Sequence, residues 1–101
     1  MRGVRFLVVD DSPMAVRLIT GVIRNQLGSD RILTASDGRD AIRKLEKNSV
    51  DMIVSDWNME GMNGDELLYF VRNHKELKDI PFVDALLTML ANRAPKVISN
   101  G

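Results

Sequence analysis

Residues 51–64, Asp51-Met-Ile-Val-Ser-Asp56-Trp-Asn-Met-Glu-Gly-Met-Asn-Gly64, decide how the rest of the chain is read. A short apolar run, Met52-Ile53-Val54, ends on a carboxylate, Asp56, and the chain then breaks into a loop from Trp57 to Gly64. A strand that hands an acidic side chain to the loop at its C-terminal end puts that group at an edge where α/β sheets bind ligands. One aspartate in such a place can equally be a turn-former. The meaning of Asp56 therefore depends on what else reaches the same edge.

Upstream, Val4-Arg-Phe-Leu-Val-Val-Asp10 is β-branched and aromatic and reads as a buried strand that ends on Asp10-Asp11. Ser12-Pro13 then gives a helix start, serine as N-cap and proline at the first helical position. Apolar residues at Ala15, Leu18, Ile19, Val22 and Ile23, with Leu27 a turn on, give that helix one apolar face, and Gly28-Ser-Asp30 stops it. A shorter strand follows at Arg31-Ile-Leu-Thr-Ala35, then a turn or cap at Ser36-Asp-Gly38 and a helix over Arg39 to Lys47. Beyond the opening stretch, Gly64-Asp65 starts a third helix with Leu67, Leu68, Phe70 and Val71 as its apolar residues. Ile80-Pro81-Phe82-Val83 reads as a fourth strand.

Strands alternating with amphipathic helices predict a doubly wound parallel α/β sheet. If the first and third strands are neighbours, Asp10, Asp11 and Asp56 meet where the winding reverses. Three carboxylates in one place repel, so either one takes up a proton or a cation binds. Oxygen ligands with no Cys or His favour a hard ion, and Mg²⁺ fits best because it keeps several waters and substrate oxygens. A magnesium ion beside a free carboxylate suits phosphoryl transfer through an aspartyl phosphate. The bland alternative for Asp10-Asp11 alone is a cap and helix-dipole pair; the conjunction of two strand ends of the same polarity favours a functional site.

Composition narrows the classes. A chain of 101 residues is one domain, large enough for a core. It has no cysteine, which excludes a disulfide framework and thiolate chemistry. With 14 basic and 14 acidic residues, it is not expected to bind nucleic acid or membrane surfaces generally. Nothing reads as a signal peptide or a membrane span, so the expected localisation is cytoplasmic.

Three segments together resemble the receiver domain of bacterial response regulators. They are Phe6-Leu-Val-Val-Asp-Asp-Ser12, Asp37-Gly38 ahead of Ala41, and Ile53-Val-Ser-Asp-Trp-Asn-Met-Glu-Gly-Met-Asn-Gly64, whose Asp-Trp-Asn-Met core is especially similar to the single-domain chemotaxis type. The resemblance implies a flavodoxin-like fold and phosphorylation of Asp56 by a sensor histidine kinase. It further implies Mg²⁺ held by Asp11, Asp56 and the backbone carbonyl of Asn58, with Asp10 assisting.

The resemblance departs at two places. Glu60 stands where the family usually has proline. The family also carries a hydroxyl residue at the end of strand four and a lysine at the end of strand five. Thr88 is the candidate hydroxyl, but no fifth strand or last helix is expected before Gly101, which makes residues 1–101 a receiver incomplete at its C-terminus with four strands. Val83, Leu86, Leu87 and Leu90 also repeat at helical spacing, favouring a helix capped by Asp84 that places Thr88 mid-helix. A receiver lacking those elements would expose a sheet edge and apolar surface, which leaves two readings: a homodimer that covers the gap, for example by swapping the C-terminal helix, or an unstable fragment.

The leading expectation is thus a phospho-accepting signalling receiver rather than an enzyme acting on external substrates. The alternative is a degenerate receiver serving as a phosphorylation-independent dimerisation or interaction module. A phosphohydrolase is disfavoured, because Asn58 stands where a second acid would be wanted.

Overall fold

The structure is a computed structural model, and it describes residues 3–59 and 61–86. Its elements run β1 (Phe6–Val9), α1 (Pro13–Val22), β2 (Ile32–Ala35), α2 (Gly38–Lys47), β3 (Met52–Ser55), α3 (Gly64–Arg72) and β4 (Phe82–Asp84). The four strands form one sheet in the order β2-β1-β3-β4, every pair parallel. The chain leaves β1 for β2 on one side, then crosses back over β1 to reach β3. The reversal lies between β1 and β3, the condition under which Asp10, Asp11 and Asp56 meet.

The two faces of the sheet have different covers. Leu7 and Val9 of β1 and Ile53 of β3 face a core completed by Ala41 and Leu45 of α2 and by Leu67 and Val71 of α3. Phe6, Val8 and Val54 point the other way, against Ile19 and Ile23 at the end of the first helix, with Ala85. Period-two alternation along β1 feeds both cores, and all four residues of that strand have no exposed surface. A strand buried on both faces has to be a continuous apolar run, which is why Phe6-Leu-Val-Val9 was readable as one.

Each helix starts on a side chain that accepts a backbone N–H the first turn would otherwise leave unpaired. Ser12 Oγ accepts from Ala15 (3.3 Å), Asp37 Oδ1 from Asp40 (2.8 Å) and Asn63 Oδ1 from Glu66 (3.0 Å). The first helix does not run uniformly to Leu27. After Val22 it widens into a π-turn over Ile23–Leu27, closed by Gly28 in the left-handed region (φ 71°). Buried Ser29 then donates through Oγ to the Val4 carbonyl (2.6 Å), tying this turn to the start of β1.

The helix face also differs from the expected one. Leu18 is 55% exposed, while Val16 packs against the core with Ile19 and Ile23. β4 begins and ends later than its apolar run suggests. Pro81 lies outside it, giving its carbonyl to Ile53 N–H (2.9 Å), and Asp84 closes it. The Asp84 carboxylate accepts the Leu86 N–H (2.9 Å), and Ala85 and Leu86 are helical. Asp84 therefore ends the strand and opens the turn. Thr88, the rest of the expected C-terminal helix and Glu60 lie outside the described residues. Among the described residues, no helix is long and apolar enough to cross a membrane.

Candidate functional site

The β1–β3 ladder carries two aspartates to one point. Val9 pairs with Ser55 in register, and one rung further the Asp56 N–H donates to the Val9 carbonyl (2.8 Å). On the other side, the Asp10 N–H donates to the Ala35 carbonyl of β2 (3.1 Å). Asp10 is thus held between β2 and β3 at the reversal of winding, with Asp56 beside it and Asp11 next in the chain. One oxygen from each of Asp10, Asp11 and Asp56 can be chosen so that all lie within 4.8 Å of one another. Asp10 is buried, Asp56 half-buried and Asp11 exposed, so the cluster opens outward.

Asp10 does not titrate as a free carboxylate. Burial raises its pKa above 3.8, and Asp56 and Asp11 push in the same direction. The Ser12 N–H, donating to Asp10 Oδ1 (2.9 Å), opposes that rise but does not cancel it. Ser12 therefore has two roles: its N–H positions Asp10 and its hydroxyl caps α1. The sequence reading assigned only the second. A pocket of about 340 Å³ opens beside Asp10 and Asp11, between α1 and α2. Lys44 lines it, but its ammonium is engaged by the Thr34 carbonyl and lies 3.7 Å from Asp40. The cation of this pocket is thus already partnered. The donor set at the cluster is all oxygen and its charges repel, which suits a hard divalent cation.

The loop after Asp56 is packed rather than splayed. Asn58 donates its N–H to Asp56 Oδ1 (3.3 Å) and is itself exposed. Met59 turns inward, 6% exposed, into the core under α2 and α3. Trp57 is 36% exposed and leans on Phe82 of β4, with ring centroids 5.8 Å apart. Gly64 donates its N–H to the Trp57 carbonyl (3.2 Å). A Cβ there would run into Trp57 Cε3 and the Asp56 carbonyl. At Gly38 a Cβ would run into the Met62 side chain, so Met62 closes the loop onto the start of α2. These two close approaches were missed in the sequence, where Gly38 read as part of a turn or cap and Gly64 as a helix start; their signal was glycine at the first position of α2 and α3.

Of the residues singled out beforehand, Asp10, Asp11 and Asp56 come together. Asn58 is bonded to Asp56 through its N–H, and Thr88 is not described. His74 stands apart just past the end of α3, its ring tilted against Phe70 (centroids 5.7 Å apart) and its Nδ1 accepting the Glu76 N–H (3.2 Å).

An open parallel α/β sheet with an acidic cluster at its winding reversal carries its candidate site where sheets of this class bind ligands. The sequence profile of the response regulator receiver domain matches residues 6–96, and the chain belongs to that family. It is 36% identical over 92 residues to the chemotaxis protein CheY-3 of Vibrio cholerae, covering 91% of this chain and 68% of that protein. It is 41% identical over 80 residues to a CheY homologue of Campylobacter jejuni, covering 78% of this chain and 61% of that protein. The solved structure of the chemotaxis response regulator CheY4 of Vibrio cholerae superposes with a TM-score of 0.72 at 33% identity, covering 80% of this chain and 66% of that one. The chain thus spans roughly two thirds of the length of these relatives. It is a receiver domain of the two-component signalling type, with the flavodoxin-like arrangement its strand order shows.

Proposed function

We propose that this receiver accepts a phosphoryl group on Asp56 from the phosphohistidine of a sensor kinase. The observation that carries the reading is the gathering of Asp10, Asp11 and Asp56 within 4.8 Å at the ends of β1 and β3. A carboxylate oxygen of Asp56 attacks the phosphorus in line, and the P–N bond of the phosphoimidazole breaks. The electron pair leaves with the imidazole nitrogen, which takes up a proton. The products are an aspartyl phosphate and neutral histidine, and water later returns the carboxylate and inorganic phosphate.

The chain's own residues prepare this step. The Asn58 N–H holds Oδ1 of Asp56, and among the described residues Oδ2 has no protein donor. The Asp56 N–H bond to Val9 fixes the backbone from which the nucleophile projects. Trp57, wedged between Gly64 and Phe82, limits where the loop can go. Asp10, Asp11, Asp56 and the carbonyl of Asn58 would hold Mg²⁺, which when bound neutralises negative charge on the transferring phosphoryl group. The chemistry is self-phosphorylation and self-dephosphorylation, not turnover of an external substrate.

Trp57 adjoins Asp56, so its fluorescence reports on the site. We expect a change on adding Mg²⁺ and a second change with acetyl phosphate or beryllofluoride, both lost or strongly reduced in Asp56→Asn. An unchanged signal, with no hydroxylamine-labile phosphate on the protein, would leave the chain as an interaction module that phosphate does not switch.

A further inference from the structure

α3 presents a face that no described element covers. Asp65, Glu66, Tyr69, Phe70, Asn73 and His74 line a shallow groove of about 540 Å³, which begins at Met62. Their spacing alternates three and one: Asp65, Glu66, Tyr69 and Phe70 form one stripe of α3, and Asn73 and His74 continue it just past the helix end. Tyr69 stands out at 72% exposed, the most exposed large hydrophobic side chain among the described residues. The stripe is also polarised. Asp65 and Glu66 occupy the first turn and neither carboxylate has an ion-pair or hydrogen-bond partner among the described residues, while Arg72, His74 and Lys75 lie at or just beyond the last turn.

This pattern complements itself. Turned end for end about a point between Tyr69 and Phe70, the stripe sets Asp65 opposite His74, Glu66 opposite Asn73, and the two rings against each other. His74 Nδ1 already accepts the Glu76 N–H, which puts the proton of the neutral ring on Nε2 as a donor. Side by side in parallel, the same helices would set Asp65 and Glu66 against a like pair. We propose that a second copy of this chain docks on α3, antiparallel, about a two-fold axis through Tyr69 and Phe70. An isologous contact of this kind uses one patch twice. One short helix pair falls below the roughly 1,200 Å² at which standard interfaces begin, so the dimer forms at high micromolar rather than nanomolar protein.

Analytical ultracentrifugation of the full chain, from micromolar to millimolar concentration, tests this. Asp65→Lys alone and His74→Glu alone should each weaken association about tenfold, and the double variant should recover most of it because the charges exchange across the two-fold axis. The chain has no native cysteine, so Tyr69→Cys should give an oxidised dimer efficiently and Leu18→Cys, exposed on α1, should not. Thermal unfolding of each variant keeps a folding defect distinct from a lost contact. A monomer throughout this range overturns the proposal. So does a dimer that crosslinks through position 18 in preference to 69, or a double variant that stays as weak as the single ones.

Discussion

Three strands of this sheet deliver an aspartate to the same edge, and only two of those aspartates enter the carboxylate cluster. Asp10, Asp56 and Asp84 follow or close β1, β3 and β4, and each accepts the backbone N–H two residues on: Ser12 at 2.9 Å, Asn58 at 3.3 Å, Leu86 at 2.9 Å. Their local chemistry is the same Asx-type turn. What separates them is position. Asp10 and Asp56 end adjacent inner strands at the reversal of winding, where Asp11 joins them. Asp84 ends the outermost described strand, in register with Ser55, and is not one of the carboxylates that gather with Asp56. A strand-terminal aspartate is therefore a turn-former by default, and it becomes a site through the strand order around it.

The largest effect that can break this contrast is on labelling. Asp56→Asn should abolish incorporation of phosphate from acetyl phosphate, measured on intact protein by mass spectrometry, because it removes the proposed acceptor carboxylate. Asp84→Asn should leave labelling within a few-fold of wild type. Next is the loop that aims Asp56. Gly64→Ala should cost about 1–3 kcal/mol in chemical denaturation, since the added methyl overpacks against Trp57 and the Asp56 carbonyl. It should also shift Trp57 emission in the folded protein.

The inner carboxylates should also show in the pH dependence of folding. Asp10 has a pKa raised above 3.8, so its ionised form costs stability at neutral pH, and that cost is relieved as pH falls through its folded pKa. Asp40 runs the other way. Burial would raise its pKa, but the Ser36 N–H, Arg43 and Lys44 together lower it, so the stability it contributes above 3.8 is lost as pH falls through the folded value. Asp10→Asn should therefore raise the metal-free melting temperature at pH 7 and weaken stabilisation by Mg²⁺, as read by thermal unfolding with EDTA or Mg²⁺. The smallest effect is Asp84→Ala. Loss of the bond to Leu86 should cost about 1 kcal/mol, with the Mg²⁺ response unchanged.

Much of this was legible because the decisive residues sit in short, strongly patterned runs. Phe6-Leu-Val-Val9 is apolar at every position, which only a doubly covered inner strand needs, and Asp10-Asp11 follows it directly. With a second apolar run ending on Asp56, the parallel topology left one place for the carboxylates to meet. Other features were not readable for definite reasons. On α1 two helical faces overlap, and Ile19 belongs to both. Spacing cannot choose Val16 over Leu18; the sheet beneath does. The extent of β4 is set by pairing of Phe82 with Ile53 and Asp84 with Ser55, not by its own apolar residues. Met62 on Gly38 is a contact between distant segments, which no local pattern encodes.

The central claim is that Asp56, and not another carboxylate of this edge, is the metal-dependent phosphoryl acceptor. The most direct test is to incubate the chain with acetyl phosphate, with Mg²⁺ or with EDTA, and to locate the modification by borohydride reduction and peptide mass spectrometry. The account predicts one modified residue, Asp56, labelled with Mg²⁺ and scarcely without it. Label on Asp10, Asp11 or Asp84, or label on Asp56 indifferent to Mg²⁺, would contradict it.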